Sequence, residues 1–267
     1  MFKLKYLQIA LTLYVVLIAG LVLFQRFIIL HPKKLAKDYL YEFPKAEEFY
    51  VVVAPEVKLN ALRFPSEDSI SKGVVLYYHG NADNLARWGE YASEFTKRGY
   101  DVVMYDYRGF GKSNGRLDEQ NFLFDAQYVF DDLSRRYNPD KIVLYGRSLG
   151  CGAAIKVAST NAVKKLILET PYYSLPDVAF SRFPIFPFKY VSEFKLNAYE
   201  WLTNVRSEMH VFHGTDDEII PYKQSIKLLA TTNRNLDKTL TTLQGGHHQG
   251  LDKFKEYQTK LDELLAN

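Results

Sequence analysis

Lys141-Ile142-Val143-Leu144-Tyr145-Gly146-Arg147-Ser148-Leu149-Gly150 is the stretch that decides how this chain is read. A short apolar run of strand type leads into Gly146-x-Ser148-x-Gly150, and a helical stretch follows to about Thr160. A sharp strand-to-helix turn of this kind lifts a serine hydroxyl into the open, and the two glycines leave room for a strained backbone and for close strand–helix packing. The helix N-terminus that follows offers unpaired N–H groups and a positive dipole end, which favour an oxyanion. A glycine-rich βα turn holding an incidental serine has the same letters, so the surroundings must decide.

Outward from this stretch the same alternation recurs. Val51-Val52-Val53 and Lys58 to Leu62, separated by Pro55, form an opening hairpin pattern. Val74 to Tyr78, Asp101 to Tyr105, Lys165 to Leu168, Met209 to Phe212 and Thr239 to Leu243 are further strand-like runs. Helical stretches lie between them at residues 87–98, 118–136 and 150–160, and a last one runs near residues 252–265. Short apolar strands alternating with helices indicate βαβ units and a mostly parallel sheet covered on both faces, an α/β fold. Ligands bind such sheets at the C-terminal strand ends, and the chemistry-bearing residues fall after Tyr78, Tyr145, Phe212 and Leu243.

A serine needs a base, and the base needs an acid to orient it. Past one strand end comes His213-Gly214-Thr215-Asp216-Asp217-Glu218-Ile219-Ile220-Pro221, and past another Gly245-Gly246-His247-His248. Spacing alone leaves Asp216 or Asp217 as the acid and His247 or His248 as the base. The aspartates also suit a solvated turn, one of them N-capping a helix that opens near Pro221. His79-Gly80-Asn81-Ala82 follows the strand ending at Tyr78, where the Asn81 backbone N–H would join that of Leu149 in an oxyanion hole; His79 reads as a structural turn residue.

These motifs, with Tyr105-Asp106-Tyr107-Arg108-Gly109-Phe110-Gly111-Lys112-Ser113, resemble the α/β-hydrolase superfamily over about residues 50–265. In particular they resemble its membrane-anchored hydrolase-domain branch related to serine aminopeptidase-like esterases. The resemblance implies an α/β-hydrolase fold with a catalytic triad of Ser148, Asp217 and His248, and neither metal nor cofactor. It selects Asp217 because the family's acid follows His-Gly by two residues. It selects His248 by aligning Gly245 to Leu251 with a Gly-x-x-His-Asn-x-Leu pattern, from which Gln249 departs. The activity it implies is a serine hydrolase that cleaves a carboxylic ester, thioester or amide through an acyl-enzyme. A non-catalytic hydrolase-fold binding or scaffold protein at the membrane is the alternative, and an acyltransferase using the same acyl-enzyme is a third reading.

The remaining features set limits. The chain has 267 residues, 34 basic against 31 acidic, and a net charge of +3, which gives no reason to expect nucleic-acid binding. Cys151 is the single cysteine, so it reads as a small core residue and no intramolecular disulfide can form. Tyr6 to Phe24 is an uncharged, apolar run with Lys3 and Lys5 before it and Arg26, Lys33 and Lys34 after it. It approaches the roughly 30 Å of a bilayer core and lacks a small-x-small cleavage site, so it reads as a single-pass transmembrane anchor rather than a signal peptide. The basic excess after the run points to a cytoplasmic domain, whereas the family resemblance points outward. The expected organisation is an anchor at 1–30, a connector at 31–49 and a hydrolase domain at 50–267. Within that domain, a short aromatic cap at about 174–200 contains Phe183-Pro184-Ile185-Phe186-Pro187-Phe188. The cap's aromatics would line an acyl pocket or touch a membrane surface, or else pack on a small core of their own. Gly111-Lys112-Ser113 lacks the first glycine of a phosphate loop, and Gly109-x-Gly111 lacks the third of a dinucleotide site, so both read as a turn lining the pocket. His210 and His213, three apart on a strand, point to opposite faces and suit no metal site. The expected partners are a small or lipid-like acyl substrate and the membrane.

Overall fold

Strands β1 (Glu47–Ala54), β2 (Val57–Phe64), β3 (Val74–Tyr78), β4 (Asp101–Tyr105), β5 (Ile142–Arg147), β6 (Lys165–Glu169), β7 (Glu208–Gly214) and β8 (Leu240–Leu243) build one sheet. The computed structural model describes residues 2–266. Met1 and Asn267, the outer limits of the expected anchor and domain, lie outside the described residues. The strand order is β1-β2-β4-β3-β5-β6-β7-β8. The β1–β2 hairpin and the β2–β4 pair are antiparallel, and every later pairing is parallel. β1 begins at Glu47, inside the stretch read as connector.

β3, β4, β5 and β6 are buried along their whole length because helices cover both faces of the sheet, which is why they read as continuous apolar runs. On one face lie α2 (Glu119–Ser134), N-capped by the Asp118 carboxylate accepting from the Asn121 N–H at 2.7 Å, and α3 (Gly150–Thr160). Phe122, Val129, Ile155 and Leu166 are among the residues that close this half of the core. The other face is covered by short turns at residues 85–96 and by α6 (Lys255–Leu265), around Trp88, Phe95, Tyr145 and Tyr257.

The expected helix over residues 87–98 is broken into a turn at Leu85–Trp88, a 3₁₀ turn at Gly89–Ala92 and a turn at Ser93–Thr96. Asn84 starts it by accepting from the Ala86 N–H, and Gly89, a poor helix former, stands at the first break. The segment after β6 holds α4 (Leu175–Arg182), opened by Ser174, and two short turns at Phe188–Val191 and Ala198–Leu202. α5 (Lys223–Leu229) follows β7. At the N-terminus, α1 (Phe2–Ile29) is one continuous helix, and its stretch Leu4–Arg26 is long and apolar enough to cross a membrane.

Candidate active site

Ser148 follows the last residue of β5, at a backbone φ of +52°, the left-handed region that a residue with a Cβ adopts at a cost. Two close approaches enforce this turn. A Cβ on Gly146 would meet the Cys151 Cα and the Ala154 Cβ, each at 2.8 Å, and one on Gly150 would overlap the Tyr78 carbonyl oxygen at 2.0 Å. The Ser148 N–H donates to the Glu169 carbonyl at 2.9 Å, which ties the turn to the neighbouring strand. Cys151 is buried beneath it, its thiol donating to the Gly146 and Glu169 carbonyls at 3.1 and 3.2 Å.

Three strand ends then deliver a hydrogen-bonded series. His248 Nε2 lies 3.1 Å from Ser148 Oγ, and His248 Nδ1 lies 2.8 Å from Asp217 Oδ2. A carboxylate only accepts, so Nδ1 carries the imidazole proton and Nε2 is left to accept from the serine hydroxyl. Of the two histidines, His247 is turned outward: its Nδ1 lies 3.2 Å from Glu218 Oε2 and its side chain is 67% exposed, against 12% for His248.

Asp217 is held from several sides. Its Oδ1 accepts from the Ile219 and Ile220 N–H groups at 2.8 and 2.7 Å, and His213 Nε2 lies 3.3 Å from its Oδ2. Burial opposes its ionisation, but the hydrogen bonds from His213 and His248 outweigh burial and hold the carboxyl well below the usual range. His213 is itself pinned, with Nδ1 2.6 Å from Ser225 Oγ and Nε2 2.9 Å from the Ile220 carbonyl. Neither aspartate caps α5. The residue before that helix is Tyr222, without a side-chain cap, and Asp216 accepts from the Thr215 hydroxyl instead. Asp217 takes the Ile219 and Ile220 N–H groups of the turn before the helix instead.

Asn81 and Leu149 stand with Ser148 and His248 around one cavity of about 650 Å³. No hydrogen bond from either backbone N–H to a protein acceptor occurs among the described residues. Gly80 lies close under the Trp88 ring, which a Cβ built there would meet at 2.9 Å, and that Cβ would be in ordinary contact with the Ser148 Cβ at 3.7 Å. His79 holds this loop from behind. It is buried, stacked 4.1 Å from the Tyr107 ring, and its Nδ1 lies 2.7 Å from the Gly80 carbonyl, while the Tyr107 hydroxyl donates to the His79 carbonyl at 2.7 Å. Burial pushes the imidazole down to about 4, against the pull of the Gly80 carbonyl, so His79 is neutral near pH 7.

The Gly109–Ser113 turn does not line this cavity, contrary to the expectation from its sequence. Its groups are engaged elsewhere. The Ser113 hydroxyl donates to the Asp106 carbonyl at 2.7 Å and accepts from the Asn60 N–H, and Gly111 exchanges backbone bonds of 3.0 Å with Lys33 and Leu35 of the connector. The turn after β4 thus holds the connector in place. The cap's aromatics do line the cavity, through Phe183, Phe186 and Phe188, together with Val178 of α4 and, unanticipated, Leu17, Leu21 and Val22 of α1.

Two features escaped sequence reasoning. His213 looks like any histidine on a buried strand, and only its four-residue distance from Asp217 hints at a contact. Arg147, the variable residue of the elbow, is buried with its Nε 3.0 Å from Glu169 Oε1 and its guanidinium 4.6 Å from the Tyr91 ring centroid. Nothing in the Gly-x-Ser-x-Gly pattern asks for a charge there.

With this geometry in view, the comparisons with known proteins are informative. A family model described as serine aminopeptidase, S33, matches residues 69–199. The chain is 28% identical over 246 residues to an uncharacterized protein of Acanthamoeba polyphaga mimivirus, covering 82% of each. It is 27% identical over 206 residues to alpha/beta hydrolase domain-containing protein 17C of Xenopus tropicalis, covering 74% of this chain and 63% of that one. Among solved structures, Est1E from Butyrivibrio proteoclasticus, with ferulic acid bound, superposes with a TM-score of 0.66 at 18% identity, over 82% of this chain and 98% of that one. An esterase from Pyrococcus furiosus gives 0.64 at 19% identity, over 89% and 97%. Sequence likeness and shared architecture agree in supporting a member of the α/β-hydrolase superfamily.

Proposed function

We propose that this protein is a membrane-tethered serine hydrolase acting on a carboxylic ester or thioester, with an amide as the harder substrate. The observation that carries the reading is the unbroken series Ser148–His248–Asp217, at 3.1 and 2.8 Å, beginning at a strained elbow that opens into a cavity. Ser148 Oγ attacks the carbonyl carbon while His248 Nε2 takes its proton. Asp217 keeps the imidazole in the required tautomer and stabilises its charged form. The developing oxyanion accepts hydrogen bonds from the N–H groups of Asn81 and Leu149. Collapse breaks the bond to the alcohol, thiol or amine, which leaves with the proton from His248. Water then repeats the sequence on the acyl-enzyme and frees the acid and Ser148.

Esters and thioesters are favoured because the wall facing Ser148 is apolar and suits a lipophilic acyl group. The anchor reading of α1 draws support from its contacts with the domain: the Tyr14 hydroxyl donates to the Ile185 carbonyl at 2.7 Å, and Arg26 pairs with Glu193. A helix discarded after export would leave those partners bare. Hydrolysis of esters, thioesters and aminoacyl amides of graded acyl length tests the activity, with Ser148→Ala as control. Turnover of apolar acyl esters that is lost in S148A is expected. A preference for aminoacyl amides would overturn the substrate class, and transfer to added alcohols or thiols in place of hydrolysis would make the protein an acyltransferase. A reporter fused to the C-terminus identifies the side of the membrane on which the domain lies.

A further inference from the structure

We infer that α1 is a wall of the acyl-binding site as well as a tether, and that the site takes the acyl chain of a lipid ester or thioester directly from the membrane leaflet around α1. The inference rests on the acyl-hydrolase reading above and adds the source of the substrate and the residues that measure its chain.

One stripe of α1 faces the domain. Tyr14, Ile18, Leu21, Gln25 and Ile29 are half-buried at spacings of three and four residues, while Leu13, Val16, Leu23 and Phe24 on the other sides are exposed. The stripe is fastened to the cap at two levels. Near the middle of the helix, the Tyr14 ring stacks on Phe186 at 6.0 Å and its hydroxyl reaches Ile185. Three turns later, Gln25 Oε1 accepts the Glu193 N–H at 2.6 Å, and Arg26 Nε donates to Glu193 at 2.8 Å. Below this, the Asn81 side-chain amide donates to the Ile29 carbonyl, so the helix ends against the oxyanion loop itself.

Between those fastenings Leu17, Leu21 and Val22 face Phe183 and Phe186 across the cavity that holds Ser148. From Tyr14 to Ile29 the helix runs alongside the domain for roughly 22 Å at 1.5 Å per residue. The part of that length inside the apolar run, Tyr14 to Phe24, is about 15 Å, half of a bilayer core of about 30 Å. The upper cavity and the exposed cap side chains Phe183, Ile185 and Tyr190 therefore stand at the depth of one leaflet. A chain leaving the leaflet along α1 would pass from lipid to the α1–cap seam to Ser148 without crossing water. Each methylene buried on that path favours binding by about fourfold.

The full-length protein is reconstituted into phosphatidylcholine vesicles, and the ratio of kcat/KM on C14 and C4 acyl esters is measured; a ratio cancels any general loss of activity. For the wild type the ratio is expected to be well above tenfold. Leu21→Trp fills the seam and should lower it by at least tenfold. Leu21→Ala widens the seam and should move the optimum to longer chains, a shift that misfolding does not produce. Leu23→Trp places the same bulk on the exposed side and should keep the wild-type ratio. A C14 ester in the protein's own vesicles should turn over much faster than the same ester in separate vesicles. An unchanged chain-length profile in both Leu21 variants, an equal loss in L23W, or equal rates from the two vesicle populations would overturn the inference. If the wild type hydrolyses no ester, the hydrolase reading fails, and equilibrium binding of palmitate decides whether α1 is an acyl wall. Binding weakened by L21W and not by L23W supports it, and absence of binding overturns it.

Discussion

The two sides of the cavity are built by opposite means. On the Ser148 side, each group is fixed by strand ends and by directional bonds: the elbow by the Glu169 carbonyl, His248 by Asp217, and Asp217 by two backbone N–H groups and His213. On the α1–cap side, Leu17, Leu21, Phe183 and Phe186 present a non-directional apolar wall, with polar fastenings at its margins through Tyr14 and Arg26. Hydrogen bonds and strained backbone locate atoms to fractions of an ångström, which bond-making needs. Apolar contact tolerates slippage, which would suit the acyl chains of varied length proposed for it. Substitutions on the first side should therefore change rate steeply, and those on the second should change selectivity at little cost in rate or stability.

Beyond the nucleophile itself, the largest effect is expected at Asp217. Asn in its place still fits but favours the wrong imidazole tautomer, so kcat should fall by about 10⁴-fold while the fold is kept, as steady-state kinetics and circular dichroism will report. A loss of tenfold or less would mean that the carboxylate is not the orienting group.

His213→Phe is next. It removes one hydrogen bond to a buried carboxylate, a change of about 1.5–3 kcal/mol, or roughly 10- to 100-fold in rate. Its diagnostic is the pH profile. Asp217 titrates below its ordinary value in the folded protein, so its ionised form stabilises the fold above about pH 4, and that contribution is lost as pH falls through the folded value. Removing His213 raises the folded value. The midpoint of acid unfolding should then move to higher pH. A loss of rate with that midpoint unmoved would leave His213 a packing residue only.

The sequence already contained most of the Ser148 side and little of the other. β3 to β6 are buried on both faces, so their apolar runs are unbroken and their ends mark where motifs must act. The elbow needs Gly146 and Gly150 for steric reasons that leave a signature in letters. Choosing between His247 and His248 was harder, because adjacent residues share a spacing and only the path of a turn sends one to Ser148, 100 residues earlier in the chain. The break in residues 85–96 and the engagement of Gly109 to Ser113 with the connector depend on packing between distant segments. So does the place of Leu21 on the cavity wall, since a helix apolar all round gives no hint of which side another element will cover.

Two stability measurements sharpen the contrast. Phe95, 1% exposed in the core, should cost about 3–5 kcal/mol when replaced by Ala, whereas Phe186→Ala on the cavity wall should cost about 1 kcal/mol or less in urea unfolding. Equal costs would mean that the wall is as rigid as the core. At the elbow itself the change in stability should have the opposite sign. Ser148→Gly relieves a left-handed φ and should stabilise the protein by about 1 kcal/mol, a rise of roughly 2–4 °C in Tm, while abolishing activity. No gain would mean that the turn stores no strain.

The claim on which the rest depends is that Ser148 is an activated nucleophile. Labelling of the folded, full-length protein with a fluorophosphonate, read by peptide mass spectrometry, tests it most directly. A single adduct on the peptide containing Ser148, absent in Ser148→Ala and strongly slowed in His248→Ala, is the predicted result. Folded protein that takes up no label, or takes it equally with and without His248, would contradict the account and leave a hydrolase fold that binds without catalysis.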